Sequence, residues 1–196
     1  MVTSAAANLS VNDPVTNVTL TRSPTTATID SSQAVTVTFT AGSQGTGPFT
    51  YQWSKDSVVI PDATGSTYTI QNASVSDSGN YQVLVKNSVS TSGVASSNVN
   101  LSVANPVSIT SISRSPAGEP ITAGTPVTFE VSATGTGTLT YQWRKNEVAI
   151  PGATAATYTI PSTTTLNSGN YDVVVKNIVS TTGVTFTPVT LTVVEP

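Results

Sequence analysis

Thr50-Tyr51-Gln52-Trp53 returns as Thr140-Tyr141-Gln142-Trp143, and Asp77-Ser78-Gly79-Asn80-Tyr81 returns as Asn167-Ser168-Gly169-Asn170-Tyr171. Both pairs are offset by 90 residues. A repeat of that length, holding a Trp and a Gly-x-Tyr corner, predicts two copies of one small all-β domain. The 196 residues suit two such domains. Period-2 alternation predicts strands at 15–21, 34–41, 49–55, 58–60, 66–71, 80–87 and 93–103 in the first copy. In the second copy it predicts 107–113, 125–133, 139–145, 148–150, 156–161, 170–177 and 183–194. Turn signals separate them, among them Gly45-Thr46-Gly47-Pro48, Pro61-Asp62-Ala63-Thr64-Gly65 and Pro151-Gly152.

The expected domains are 14–104 and 105–196. Residues 1–13 read as the last strand of a preceding domain, because Asn8-Leu9-Ser10-Val11 matches Asn100-Leu101-Ser102-Val103. The competing reading makes this segment a leading strand of the first domain. The linker Ala104-Asn105-Pro106 is short, and its Pro fixes one dihedral.

Composition narrows the chemistry. Charged residues make up 9% of the chain and the net charge is −3, so there is no basic patch to displace nucleic-acid counterions. No apolar run approaches the ~20 residues a membrane-spanning helix needs, and membrane insertion is not expected. There is no Cys and no His. Disulfides, thiolate metal sites and thiol nucleophiles are therefore absent, as is the usual general base near neutral pH.

The ordered motifs resemble immunoglobulin-like domains, closest to the I-set-like versions of phage and bacterial proteins. Trp53 and Trp143 match the family's strand-C Trp. Residues 77–83 and 167–173 match its Asp-x-Gly-x-Tyr-x-Cys corner, with Val83 and Val173 at the cysteine position. The resemblance implies two tandem immunoglobulin-like Greek-key β-sandwiches without disulfides. It implies a core around Trp53, Tyr81, Val83 and Phe39, and around Trp143, Tyr171, Val173 and Phe129. On strand B the partners of the two valines read as Ala41 and Val131, or as Phe39 and Phe129. The tyrosine hydroxyls are expected to bond backbone at the corner, and strand D is expected to be reduced or missing. Asn167 replaces the corner Asp, but either side chain can close an Asx-turn.

Within that class, Thr-Tyr-Gln-Trp-x-Lys-x-x-x-x-Ile-Pro-x-Ala-Thr looks like repeats of phage virion proteins. The nearest named family is the outer-capsid decoration proteins of T-even-type phages (Hoc). The resemblance implies a non-enzymatic display or spacer module on the virion surface, with weak multivalent attachment to host-surface glycans or proteins. Its implied partners are neighbouring immunoglobulin-like domains of a longer chain, and capsid proteins through a domain not in this sequence. Similar repeats occur in bacterial surface and secreted proteins, so three alternatives stay open: a bacterial adhesin stalk, an accessory module of a secreted polysaccharide-degrading enzyme, and an assembly role in which the first or last strand of a domain pairs with another subunit.

No catalytic, metal or cofactor residue is assigned. Asp56 and Asp62 are the closest carboxylate pair, at opposite ends of one hairpin, where solvated turn residues are the expectation. The Gly-x-Gly at 45–47 and 135–137 precedes a strand rather than opening a helix, so it is a turn and not a phosphate loop. Asp13 stands alone near the first junction, too few ligands for calcium. Asn8, Asn17, Asn72 and Asn100 open Asn-x-Ser/Thr triplets, read as inert in a phage or bacterial chain. The turns 87–93 and 177–183 are the remaining binding candidates, and 177–183, in the second copy, reads as junction packing rather than as a ligand site. Val58, Val59, Val148 and Ile178 are expected at the surface.

Overall fold

The computed structural model describes residues 9–196. Residues 1–8, more than half of the segment 1–13 expected as a strand, lie outside the described residues. Leu9 and Val11 are exposed and belong to no strand. One compact unit comprises residues up to 27 together with 33–103; the other comprises 28–32 with 104–196.

In chain order the strands are β1 (Thr16–Ser23), β2 (Ile29–Asp30), β3 (Val37–Gln44), β4 (Thr50–Lys55), β5 (Val58–Val59), β6 (Thr67–Ile70), β7 (Gly79–Lys86), β8 (Val94–Ala95), β9 (Val99–Leu101) and β10 (Val103–Ala104). The second copy supplies β11 (Ser108–Ser115), β12 (Ile121–Thr122), β13 (Val127–Thr134), β14 (Thr140–Lys145), β15 (Val148–Ala149), β16 (Thr157–Ile160), β17 (Gly169–Lys176), β18 (Val189–Leu191) and β19 (Val193–Val194). The first copy pairs β1-β3-β6 in one sheet and β5-β4-β7-β8 in another, with β9 also on β7. The second copy repeats this as β11-β13-β16 and β15-β14-β17-β18, and its β12 runs parallel to β19. These are two immunoglobulin-like sandwiches, all-β and free of disulfides.

The core follows from the alternation. Along β3, Val37 and Phe39 are buried while Thr40 faces solvent. Along β7, Tyr81, Val83 and Val85 point inward. Phe39 stacks on Tyr81 with ring centroids 4.3 Å apart, and Phe129 on Tyr171 at the same distance. Trp53, Val83, Trp143 and Val173 are fully buried. Each such aromatic removes a large apolar area from water and gains further from ring contacts, about 0.5–1.5 kcal/mol per pair.

Two features differ from the strand reading. The last strand of each copy is broken, not continuous over 93–103 or 183–194. In the first copy Ser96 turns inward at the break: its hydroxyl accepts the Val83 N–H at 3.2 Å, and its own N–H reaches Val83 O at 2.9 Å. Period-2 hydropathy does not register a bulge built around a small polar residue. The short β12 beside β19 lies outside the strands expected from alternation, because two residues are too few to show a period.

Among the described residues no strand lies between β5 and β6, or between β15 and β16. The Ile-Pro-x-Ala-Thr turn folds back onto β4 instead. Trp53 N–H donates to Ala63 O, and Gln52 Nε2 donates to Ile60 O at 2.9 Å. The second copy does the same from Trp143 to Ala153 and from Gln142 to Ile150. The indole N–H of Trp53 reaches Gly65 O at 2.9 Å, and that of Trp143 reaches Ala155 O at 3.0 Å. The repeated motif therefore encodes a side-chain-fastened loop that takes the place of a strand.

Candidate functional site

Polar side chains concentrate in three places in each copy: the corner before β7 or β17, the hairpin β4–β5 or β14–β15, and the turns that hold the incoming chain.

At the corner, a single 3-10 turn (Val75–Asp77, Thr165–Asn167) leads into the long strand. Asp77 Oδ2 accepts both the N–H and the hydroxyl of Ser74, at 2.8 and 2.7 Å. Asn167 Oδ1 does the same for Thr164, at 2.7 and 3.1 Å. The tyrosine hydroxyls donate to the carbonyls at this position, Tyr81 to Asp77 O at 2.7 Å and Tyr171 to Asn167 O at 2.8 Å. Burial pushes the Tyr171 phenol up to about 12, and nearby Tyr158 adds to the effect. Burial also raises Tyr81, with smaller contributions from Tyr68, Asp77 and Asp56. Lys55 Nζ caps the turn at Ser76 O, and Lys145 Nζ caps its counterpart at Leu166 O. That explains the Lys two residues after each Trp.

Gly79 and Gly169 are required by geometry. Both have positive φ, and a Cβ on Gly79 would lie 2.5 Å from Asp56 Oδ2. Asp56 Oδ1 in turn accepts the Asn80 N–H at 2.8 Å, and Asn146 Oδ1 accepts that of Asn170 at 2.9 Å. The Asp56 carboxylate thus serves the hairpin. Asp62 lies in the following turn at positive φ. An amide replaces a carboxylate both at 56/146 and at 77/167, so these positions need a hydrogen-bond acceptor and not a charge.

The turns 87–93 and 177–183 clasp the chain that enters their own sandwich. Asn87 is 7% exposed; its Nδ2 donates to Asp13 O and Thr46 O, and its Oδ1 accepts from Val89 and Ser90 N–H. Ser90 Oγ accepts the Val15 N–H. Asn177 repeats the set on Asn105, Thr136, Val179 and Ser180, and Ser180 Oγ accepts the Val107 N–H.

The copies diverge on the exposed face of β4–β7 and β14–β17. In the second, Arg144 and Asp172 form a two-pronged ion pair, and the hydrogen bond that the guanidinium donates to Asp172 is the main reason its pKa is raised. Asn146, Glu147, Asn170, Asp172 and Pro188 line a shallow polar recess there of about 260 Å³. In the first copy the paired positions are Ser54 and Gln82. Gln82 Nε2 bonds Ser96 O at 2.8 Å. Among the described residues no three acidic side chains gather where they could hold a metal ion. None of their helices is long and apolar enough to cross a membrane. Val58, Val59, Val148 and Ile178 are exposed.

The sequence motifs marked the Trp, Phe, Tyr and Val core positions but omitted Tyr68 and Tyr158, which stack beside Phe39 and Phe129. Their signal was present: Thr67-Tyr68-Thr69-Ile70 recurs as Thr157-Tyr158-Thr159-Ile160. From sequence the buried clasp residues Asn87 and Asn177 read only as turn residues.

Residues 17–87 match the immunoglobulin domain family. A decoration protein of Escherichia phage T5 is 47% identical over 60 residues, which are 31% of this chain and 36% of that protein. Among solved structures, the four N-terminal immunoglobulin domains of Dscam1 isoform 6.9 align with 97% of this chain at a TM-score of 0.64 and 20% identity. Sidekick-1 immunoglobulin domains 1–4 align with 96% of it at 0.66 and 16%. Titin domains I67–I69, in a mutated variant, align with 86% of it at 0.57 and 18%. The chain spans about half the length of the Dscam1 and Sidekick-1 structures. At these identities the structural likeness speaks to the fold alone. The chain thus resembles immunoglobulin-like tandems in fold and a phage decoration protein in part of its sequence.

Proposed function

We propose that this chain is a non-enzymatic display and spacing module of a virion surface, of the capsid-decoration kind. The observation that carries the reading is the 47% identity over 60 residues with the phage T5 decoration protein. The chemistry of the chain supports it. Asp56, Asp77 and Asp172 are held in turns or in an ion pair, and the polar motifs repeated in both copies serve the scaffold. Many copies on one particle would turn individually weak contacts with host-surface glycans or proteins into useful attachment.

The test is immunogold labelling of intact, purified particles from the phage that carries the gene. Regular labelling over the capsid is expected. Label confined to the bacterial envelope, with none on particles, overturns the proposal in favour of an adhesin stalk.

A further inference from the structure

β1 and β11 each present an arginine opposite a buried phenylalanine: Arg22 pairs with Phe39 and Arg114 with Phe129. The two arginines are repeat counterparts, but their surroundings differ. Arg114 has a side chain only 4% exposed. Its Nη2 donates to Ala117 O and Gly118 O and meets Glu119 Oε1 at 2.7 Å. The other Glu119 oxygen accepts the Thr192 N–H at 2.9 Å. A carboxylate is thus seated between a guanidinium and a strand N–H.

In the first copy Ala27 stands where Glu119 stands in the second, both five residues beyond the arginine. Arg22 Nη2 keeps a carbonyl partner, Thr26 O at 2.9 Å, but neither ion pair found among the described residues includes Arg22. Arg22 is partly exposed and lines a groove of about 330 Å³ with Leu20, Thr21, Thr25, Val99 and Asn100. Buried Nη1 atoms without hydrogen bonds occur on both arginines. They therefore do not distinguish the two sites; the missing carboxylate on the Nη2 edge does.

We propose that this groove binds a carboxylated sugar, its carboxylate pairing with the Arg22 guanidinium as Glu119 pairs with Arg114. Guanidinium–carboxylate contacts are among the stronger hydrogen bonds in proteins. The groove's size is at the lower end of the ~300–1,000 Å³ typical of small-ligand sites. The Thr21 hydroxyl donates to Thr40 O and the Asn100 amide N–H to Gly79 O and Asn80 Oδ1, which leaves Thr21 Oγ1 and Asn100 Oδ1 to accept from sugar hydroxyls beside the Thr25 hydroxyl; Leu20 and Val99 offer apolar surface for a ring face. An extended acidic peptide would draw on few of these groups. The inference rests on the attachment part of the proposed function and names its ligand class. It is tested on the purified chain, so its failure leaves the capsid-labelling result untouched.

The experiment is an amide-resolved NMR titration of the whole chain with glucuronate and N-acetylneuraminate. Glucose, acetate and a short Asp-containing peptide are run beside them. Shifts around Arg22 and Asn100 with millimolar affinity are expected for the acidic sugars. Ala27→Glu supplies the carboxylate internally and is expected to weaken binding about tenfold or more. Glu119→Ala is expected to open an equivalent site, with new shifts around Arg114; it keeps the inference testable should Ala27→Glu fail to fold. The proposal is overturned by an absence of shifts near Arg22, by undiminished binding in a folded Ala27→Glu variant, or by acetate or the peptide binding as well as the acidic sugars.

Discussion

The two sandwiches share a core and differ in how they handle charge. Phe39, Trp53, Tyr68 and Tyr81 are matched ring for ring by Phe129, Trp143, Tyr158 and Tyr171. Outside that aromatic core, the second copy carries Arg144–Asp172 and Arg114–Glu119, where the first carries Ser54 with Gln82 and Arg22 with Ala27. The lesson is that packing and backbone-directed hydrogen bonds specify this fold. Ion pairs have been added or removed around it without changing strand order.

The sharpest way to break the comparison is to remove one core. Trp53→Ala should cost the first sandwich about 3–5 kcal/mol. Each copy holds one of the two tryptophans, so in this variant all indole fluorescence comes from Trp143. Its denaturation midpoint should stay unchanged while circular dichroism shows the other half melting early. Coincident transitions would mean that the copies do not unfold independently.

Alkali should weaken both copies. The buried tyrosines have raised pKa values in the folded state, so their stabilising contribution is complete below the ordinary value near 10. Above it the unfolded chain loses phenolic protons that the native state keeps, and stability falls as pH rises. For the second copy this loss should run from pH 10 to about 12, readable as a fall in melting temperature. A flat profile there would show that Tyr171 ionises freely in the fold.

Smaller again is the clasp. Asn177→Ala removes four hydrogen bonds and leaves their backbone partners to find water. A loss of about 2–3 kcal/mol is expected for the second copy, and likewise for Asn87→Ala in the first. Hydrogen exchange at Val107 or Val15 should speed up in the respective variant.

Asp172→Ala should cost about 1–2 kcal/mol, because Arg144 is partly solvated. Gln82→Ala should cost less. Equal costs would show that the added charges contribute no stability. Val58→Lys, at a 70% exposed site, should lie within about 0.5 kcal/mol of the parent.

The fold was legible because its determinants are local and repeated. Trp, the Gly-x-Tyr corner and strand alternation each leave a pattern that a second copy confirms. The fastened loop was legible only as a motif, since nothing in Gln52 or Gln142 says that their amides reach the carbonyls of Ile60 and Ile150. The Ser96 bulge and the Asn87 clasp were opaque for the same reason: each depends on partners distant in sequence. The groove at Arg22 could not be read from the first copy alone. It becomes visible once Arg114 shows which group belongs beside that guanidinium.

The clasp has a consequence for how such a chain can grow. Asn177 and Ser180 hold Asn105 and Val107, just as Asn87 and Ser90 hold Asp13 and Val15. The connector is therefore fastened by the sandwich it leads into. A gene segment beginning at that connector encodes its own attachment, and duplicating it in frame copies joint and module together. New modules could enter such a protein by recombination without any need to evolve a joint for each insertion.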